Sequence, residues 1–132
     1  MEITSDDFTN TNSNFSNVVF EIEDGKLLIN PVPSEIVVTI TENSGKYTYD
    51  GSEKEVTGYK VTSISNPLYT EADFSFNGVA VAKGTNVGTY DMEVKAADFV
   101  NNNANFANVT FVVVDGTLTI TPVTEKVTVV IT

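Results

Sequence analysis

Asn105-Phe-Ala-Asn-Val-Thr-Phe-Val-Val-Val-Asp-Gly-Thr-Leu-Thr-Ile-Thr-Pro122 decides the fold of this chain. It reads as two strands separated by the dipeptide Asp115-Gly116. Asp-Gly between alternating apolar runs is the strongest short-range signal for a type I′ hairpin, whose two central residues need positive φ. A hairpin turning there sets Phe111 opposite Ile120 and Val113 opposite Leu118, all on one face. The same text occurs earlier, from Asn14 to Pro31, with its own Asp24-Gly25.

That recurrence is part of a longer one. Residues 1–41 align without a gap on residues 92–132 at an offset of 91, with 20 of the 41 pairs identical. Met1 falls on Met92, Phe8 on Phe99, Phe20 on Phe111 and Pro31-Val32 on Pro122-Val123. Self-similarity at a fixed period marks a repeat array, and this period is domain-sized. The expected organisation is the C-terminal part of one repeat at 1–31, a complete repeat at 32–125 with its core at 36–122, and the first strand of another at 126–132. About one and a half repeats of a longer protein are therefore expected here.

The two copies also distinguish the faces of the strands. Val18, Phe20, Leu27 and Ile29 recur as Val109, Phe111, Leu118 and Ile120, whereas Glu21, Glu23 and Lys26 become Val112, Val114 and Thr117. Positions alternate between faces along a strand, so the recurring set is expected to face the core. In the first copy, Glu23 would then sit across from Lys26.

Between the copies, Ile36 to Thr41 alternates as a strand, and Lys46 to Asp50 as a short one ended by Asp50-Gly51. Glu55 to Ile64 is strand-like, but Gly58 breaks its alternation, which indicates a bulge or a close backbone approach. Tyr69 to Asp73 is the one helical turn expected, capped by Thr70. A second two-residue hairpin is expected at Asn77-Gly78, pairing Phe76 with Val79, and a strand follows at 89–94. One repeat thus offers about seven short strands and no useful amphipathic helix. The expected class is all-β, an immunoglobulin-like β-sandwich, with a β-grasp-like domain as the alternative.

Composition narrows the functional classes. The 132 residues carry seven lysines, no arginine and eighteen acids, for a net charge of -11. Such a surface repels nucleic acid and anionic membranes. No apolar run is long enough to span a bilayer, and the N-terminus shows no signal-peptide pattern. Cysteine and histidine are absent, so disulfides, thiol nucleophiles and imidazole bases are excluded. No catalytic site and no cofactor are expected. Acidic pairs such as Asp6-Asp7 and Glu21/Glu23 read as solvated charge rather than a glycosidase pair.

Three binding chemistries remain to be weighed. Asp6, Asp7, Asn10, Asn12 and Asn14 gather oxygen donors in one loop and are weak candidates for calcium, although no EF-hand spacing is present. Side-chain-to-backbone turns explain the same asparagines. Lys60, Asn108 and Glu93 are the residues that a Lys–Asn isopeptide crosslink would use. Tyr47, Tyr49, Tyr59 and Tyr69 could line an aromatic platform for sugars, against the commoner role of half-buried sheet tyrosines.

The phrases Tyr-Thr-Tyr-Asp-Gly (47–51), Asn-Val-Gly-Thr-Tyr (86–90) and the 105–122 stretch together resemble the MBG or YDG-type tandem repeats of large bacterial surface adhesins. Asn86-Val87 stand where that family often has Ala. The resemblance covers the whole repeat, and its motifs are largely structural. It implies an extracellular, surface-attached stalk or adhesion module. Its partners would be neighbouring copies of the same repeat, with host glycan or mucin as the alternative.

Overall fold

The computed structural model describes residues 1–132 and divides them into two compact units, Met1–Asn30 and Pro31–Thr132. All the strands lie in the second unit. In chain order they are β1 (Ile36–Glu42), β2 (Gly45–Thr48), β3 (Lys54–Thr57), β4 (Tyr59–Ile64), β5 (Phe74–Phe76), β6 (Val81–Gly84), β7 (Gly88–Asp91), β8 (Phe99–Asn101), β9 (Val109–Val114) and β10 (Thr117–Thr121). Helix is confined to three single 3₁₀ turns, η1 (Ser5–Asp7), η2 (Glu71–Asp73) and η3 (Ala96–Asp98). The protein is all-β, as the alternating runs require, and consistent with a β-sandwich. Its strands number ten rather than about seven, because the expected strand Glu55 to Ile64 is divided at Gly58 between two sheets and because Phe99–Asn101 forms a short strand that the sequence reading did not expect.

The strands form two three-stranded sheets, β4-β1-β9 and β2-β10-β7, and two pairs, β3-β6 and β5-β8. The Asp115-Gly116 hairpin is not formed. β9 pairs in parallel with β1, and β10 in parallel with β2, so Asp115-Gly116 is a corner where the chain changes sheets. Val38 is the partner of Phe111, and Gly45 that of Leu118. The register offset is 73 on both sides of the corner, as in Ile36 with Val109 and Thr48 with Thr121. Two parallel strands thus pass the corner together without slipping.

Gly116 is needed there for a different reason from the one a type I′ turn imposes. Its φ is not positive; only Gly51 and Gly58 among the glycines have that geometry. A Cβ on Gly116 would lie 2.3 Å from the Asn43 carbonyl oxygen and 2.7 Å from that of Glu42. Glycine lets the two backbones approach. The Asn77-Gly78 hairpin is likewise absent, since β5 pairs with β8 and β6 with β3. In both places non-local partners captured the strands that a local turn would have paired.

Gly58 behaves as its break in alternation indicates. Its φ of 82° separates β3 from β4, and each of these pairs with a different strand. The helical turn after Thr70 is present as η2, with the Thr70 N–H donating to Asp73 Oδ2 at 2.7 Å.

The core follows the strand parities. Ile36, Val38 and Ile40 of β1 and Leu118 and Ile120 of β10 are fully buried. Phe111 and Val109 are half-buried, whereas Val112 and Val114 are exposed, so the recurring face is the inward one. An aromatic cluster fills the space between β5-β8 and β4-β1-β9. Phe99 stacks on Phe111 at 5.5 Å and meets Tyr59 edge-on at 5.3 Å; Tyr69 meets Phe106 edge-on at 5.2 Å.

The first unit lacks strands, although residues 18–30 repeat the text of β9 and β10. In the complete repeat β9 bonds to β1, and β10 to β2 and β7, never to each other. A segment holding only the counterparts of β9 and β10 therefore has no ladder to form. Its Leu27, Leu28 and Ile29 are exposed, and no Glu23–Lys26 ion pair occurs. Residues 126–132, which repeat β1, are also without strand structure.

Candidate functional site

The most distinctive polar feature is a carboxylate buried at the sheet corner. Inward and outward positions alternate along β1, and the inward parity that carries Ile36, Val38 and Ile40 next places Glu42 inside. Glu42 is only 4% exposed. Its Oε1 accepts the Val94 N–H at 3.0 Å, and its Oε2 accepts the Gly116 N–H at 2.7 Å. Both oxygens are thus committed to backbone donors that the corner leaves without ladder partners. Hydrogen bonds from backbone donors to a carboxylate contribute about 1.5–3 kcal/mol each. Beside it, Ser44 Oγ accepts the Thr117 N–H at 3.1 Å.

Sequence reading ended the strand at Thr41 and missed this role. The available signal was its position two residues beyond Ile40, on the buried parity of a strand.

An open cavity of about 510 Å³ lies against the corner, lined by Glu42, Asp91, Glu93, Val94, Lys95, Asp115 and Thr117. Glu93 has a φ of 61°, an uncommon backbone conformation for a residue with a side chain. The cleft carries four carboxylates and one amine, a surface that favours cationic groups. It contains no imidazole and no thiol.

The loop proposed for calcium uses its oxygens internally. Asn10 Oδ1 accepts the Asn12 N–H and Asn12 Oδ1 accepts the Asn14 N–H, each at 3.0 Å; Asp7 Oδ2 accepts the Thr4 N–H at 2.7 Å. Asp6 is exposed within η1. No cluster of three or more acidic side chains with metal-holding geometry occurs in the structure.

The three residues weighed for an isopeptide bond are all exposed rather than buried. Lys60 pairs with Thr41 near the end of β1, whereas the Asn108 carbonyl accepts the Ile36 N–H at its start. Five residues of strand, roughly 16 Å, separate the two positions. The crosslink is therefore not supported, because the chain runs its strands the wrong way to bring them together.

The tyrosines divide. Tyr69 is 1% exposed, and its hydroxyl donates to Asn101 Oδ1 at 3.0 Å. Tyr59 packs edge-on to Phe76 at 5.0 Å. Burial pushes both phenols above their ordinary pKa, with Glu71 adding to the effect at Tyr59 and Asp73 at Tyr69. A four-tyrosine platform therefore does not exist. Tyr47 and Tyr49 remain at the surface, 41% and 39% exposed.

Beside that pair, the Lys54 ammonium bonds to Asp50 and lies 5.8 Å from the centre of the Tyr47 ring. Lys54 and then Ser52 hold the Asp50 carboxyl well below the usual carboxylate range. Asp73 is also held low, first by the Thr70 N–H and then by the Asn103 amide.

Comparison with known proteins agrees with the phrases that suggested a family. The MBG domain family model matches residues 36–122, the span from the start of β1 to the residue after β10. No curated protein and no solved structure matches the chain. With two-thirds of its length covered by that one model, the chain belongs to the MBG domain family.

Proposed function

We propose that this chain is part of an extracellular repeat array of a bacterial surface protein, in which each module serves as a stalk or spacer. One observation carries the reading: the 91-residue period closes on itself. The opening strands β1 and β2 pair with the closing strands β9 and β10 of the same period. A module built this way needs only a short link to its neighbour. Pro122 to Glu125 is that link, after which the text leading into β1 begins again. Modules that complete their own sheets add length to an array in regular increments. The net charge of -11 keeps parallel copies apart at high surface density. The polar features described above are structural, and no enzymatic role or cofactor is assigned.

The full reading frame around these residues, combined with protease shaving of intact cells, tests the proposal. Tandem periods and release of array fragments from the cell exterior are expected. A single period in a chain that is released only on lysis would refute it.

The exposed Tyr47–Tyr49 pair favours a second reading, in which the repeats bind mucin, glycan or host protein through many weak contacts. Binding of a tandem array to immobilised mucin, lost on Tyr47→Ala with Tyr49→Ala, would establish it. Silence of the array at high avidity would remove it.

A further inference from the structure

We infer that the paired ends of the repeat form a mechanical clamp, so that pulling on the array loads β1-β2 against β9-β10 in shear. The inference rests on the array reading for its biological use, and on strand direction for its physics. Within the period, the chain enters through β1 and leaves through β10. These two end segments run side by side through two successive parallel ladders, with β1 beside β9 in one sheet and β2 beside β10 in the next.

Tension drags the first strand toward its N-terminal end and the last strand toward its C-terminal end. In a parallel pair these displacements oppose each other along the strands. Every ladder hydrogen bond is then loaded at once instead of opening in succession from one end.

The ladder spans nearly the whole of both end segments. It begins outside the strands, where the Val32 N–H donates to the Asn105 carbonyl at 2.7 Å and the Ala107 N–H donates to that of Val32 at 3.1 Å. It continues through the Ile36–Val109 to Thr41–Val114 register and then the Gly45–Leu118 to Thr48–Thr121 register. It ends where the Tyr49 N–H donates to the Thr121 carbonyl at 2.8 Å.

The corner would be the weak point of such a ladder, since the backbone pairing is interrupted between Thr41 and Gly45. Here the side chains of Glu42 and Ser44 bond the backbone N–H groups of Gly116 and Thr117, tying the two strands together across the gap. Both strands are also central ones. β1 has β4 on its other side, and β10 has β7, so neither can leave its sheet without breaking a second ladder.

Pulling geometry can be chosen freely, because the chain has no cysteine and introduced thiols are unique handles. In the full chain, Asn30→Cys with Val123→Cys loads the clamp in shear. Glu35→Cys with Leu68→Cys instead grips the adjacent ends of antiparallel β1 and β4 and peels them apart, since Val38 and Ile64 are partners. All four positions are exposed, and each variant is first shown to keep the parent urea midpoint.

Forced unfolding reports the barrier rather than equilibrium stability, so shear should yield at about twice the peeling force or more at equal loading rate. A shear force equal to or below the peeling force overturns the clamp. As a second measurement, Glu42→Gln should lower the shear force and leave the peeling force unchanged; a shear force unmoved by it overturns the role of the corner. A weak clamp would leave the spacer reading standing, because that reading is decided by the repeat count and surface release.

Discussion

Replacing Gly116 by alanine should destabilise the domain strongly, whereas the same change at Gly25 should leave its unfolding transition where it was. The two glycines occupy the same Asp-Gly text, so a purely local account gives them equal weight. The structure does not. A Cβ at residue 116 would stand 2.3 Å from the Asn43 carbonyl oxygen, and nothing lies within 4 Å of one at residue 25. Relief to ordinary contact requires the neighbouring backbone to retreat by about 1 Å, an overpacking cost of about 1–3 kcal/mol. That retreat also lengthens the Glu42–Gly116 hydrogen bond, whose loss costs about 1.5–3 kcal/mol. Restricting the unfolded chain returns about 0.4–1 kcal/mol. The net loss is about 2–5 kcal/mol, a large share of the 5–15 kcal/mol typical of a domain.

Urea unfolding followed by circular dichroism and tyrosine fluorescence measures it, since the chain has five tyrosines and no tryptophan. With a slope of about 1–3 kcal/mol per molar urea, the midpoint of Gly116→Ala should fall by about 1–2 M. Equal effects at the two glycines, or a loss below about 0.5 kcal/mol at Gly116, would refute the close-approach reasoning.

Further outcomes follow from the same geometry. Glu42→Ala leaves the Val94 and Gly116 N–H groups without their acceptor and should cost about 3–5 kcal/mol by the same urea assay; a loss under 1 kcal/mol would contradict the staple. Tyr69→Phe removes the hydroxyl's bond to Asn101 while keeping the ring, and should cost about 1 kcal/mol, against about 3–5 for Tyr69→Ala. Gly58→Ala places a side chain at a φ of 82° and should cost about 1–2 kcal/mol.

The pH dependence has two limbs. Asp50 and Asp73 are held low in the folded state, so their contribution is present above their unfolded pKa and is lost as pH falls through the folded value. Tyr59 and Tyr69 are raised, so theirs is present below about pH 10 and is lost above it. Thermal midpoints across pH should form a plateau falling at both ends. Asp73→Asn should flatten the acid limb, and an unchanged limb would show that Asp73 contributes nothing there.

The repeated text separates what local sequence decides from what it does not. In the second unit Asn101 Oδ1 accepts the Asn103 N–H and Asn103 Oδ1 accepts the Asn105 N–H, each at 3.0 Å. The same bonds join Asn10, Asn12 and Asn14 in the first unit at the same lengths. The turns agree as well: Asp98 accepts the Lys95 N–H at 2.8 Å, and Asp7 that of Thr4 at 2.7 Å. These bonds close over two or three residues, so a short stretch determines them wherever it occurs.

Strand parity was equally legible. It identified the inward faces of β1, β9 and β10, and it would have found Glu42 if followed one step further. Pairing was not legible. Val109 to Val114 is a strand because β1 lies beside it, and the matching residues Val18 to Glu23 are not a strand. Asp-Gly permits a tight hairpin and a close-packed corner alike, because glycine serves both positive φ and near contact. The choice between them came from residues far away in the chain, chiefly Glu42, Asn43 and the parallel strands that meet at the corner. Local sequence alone determined the asparagine turns and 3₁₀ turns, the alternation and the period of this protein, because each depends on near neighbours or on the text itself. Only the tertiary structure decided which strands meet, because a ladder's hydrogen bonds require a partner that no strand carries within itself.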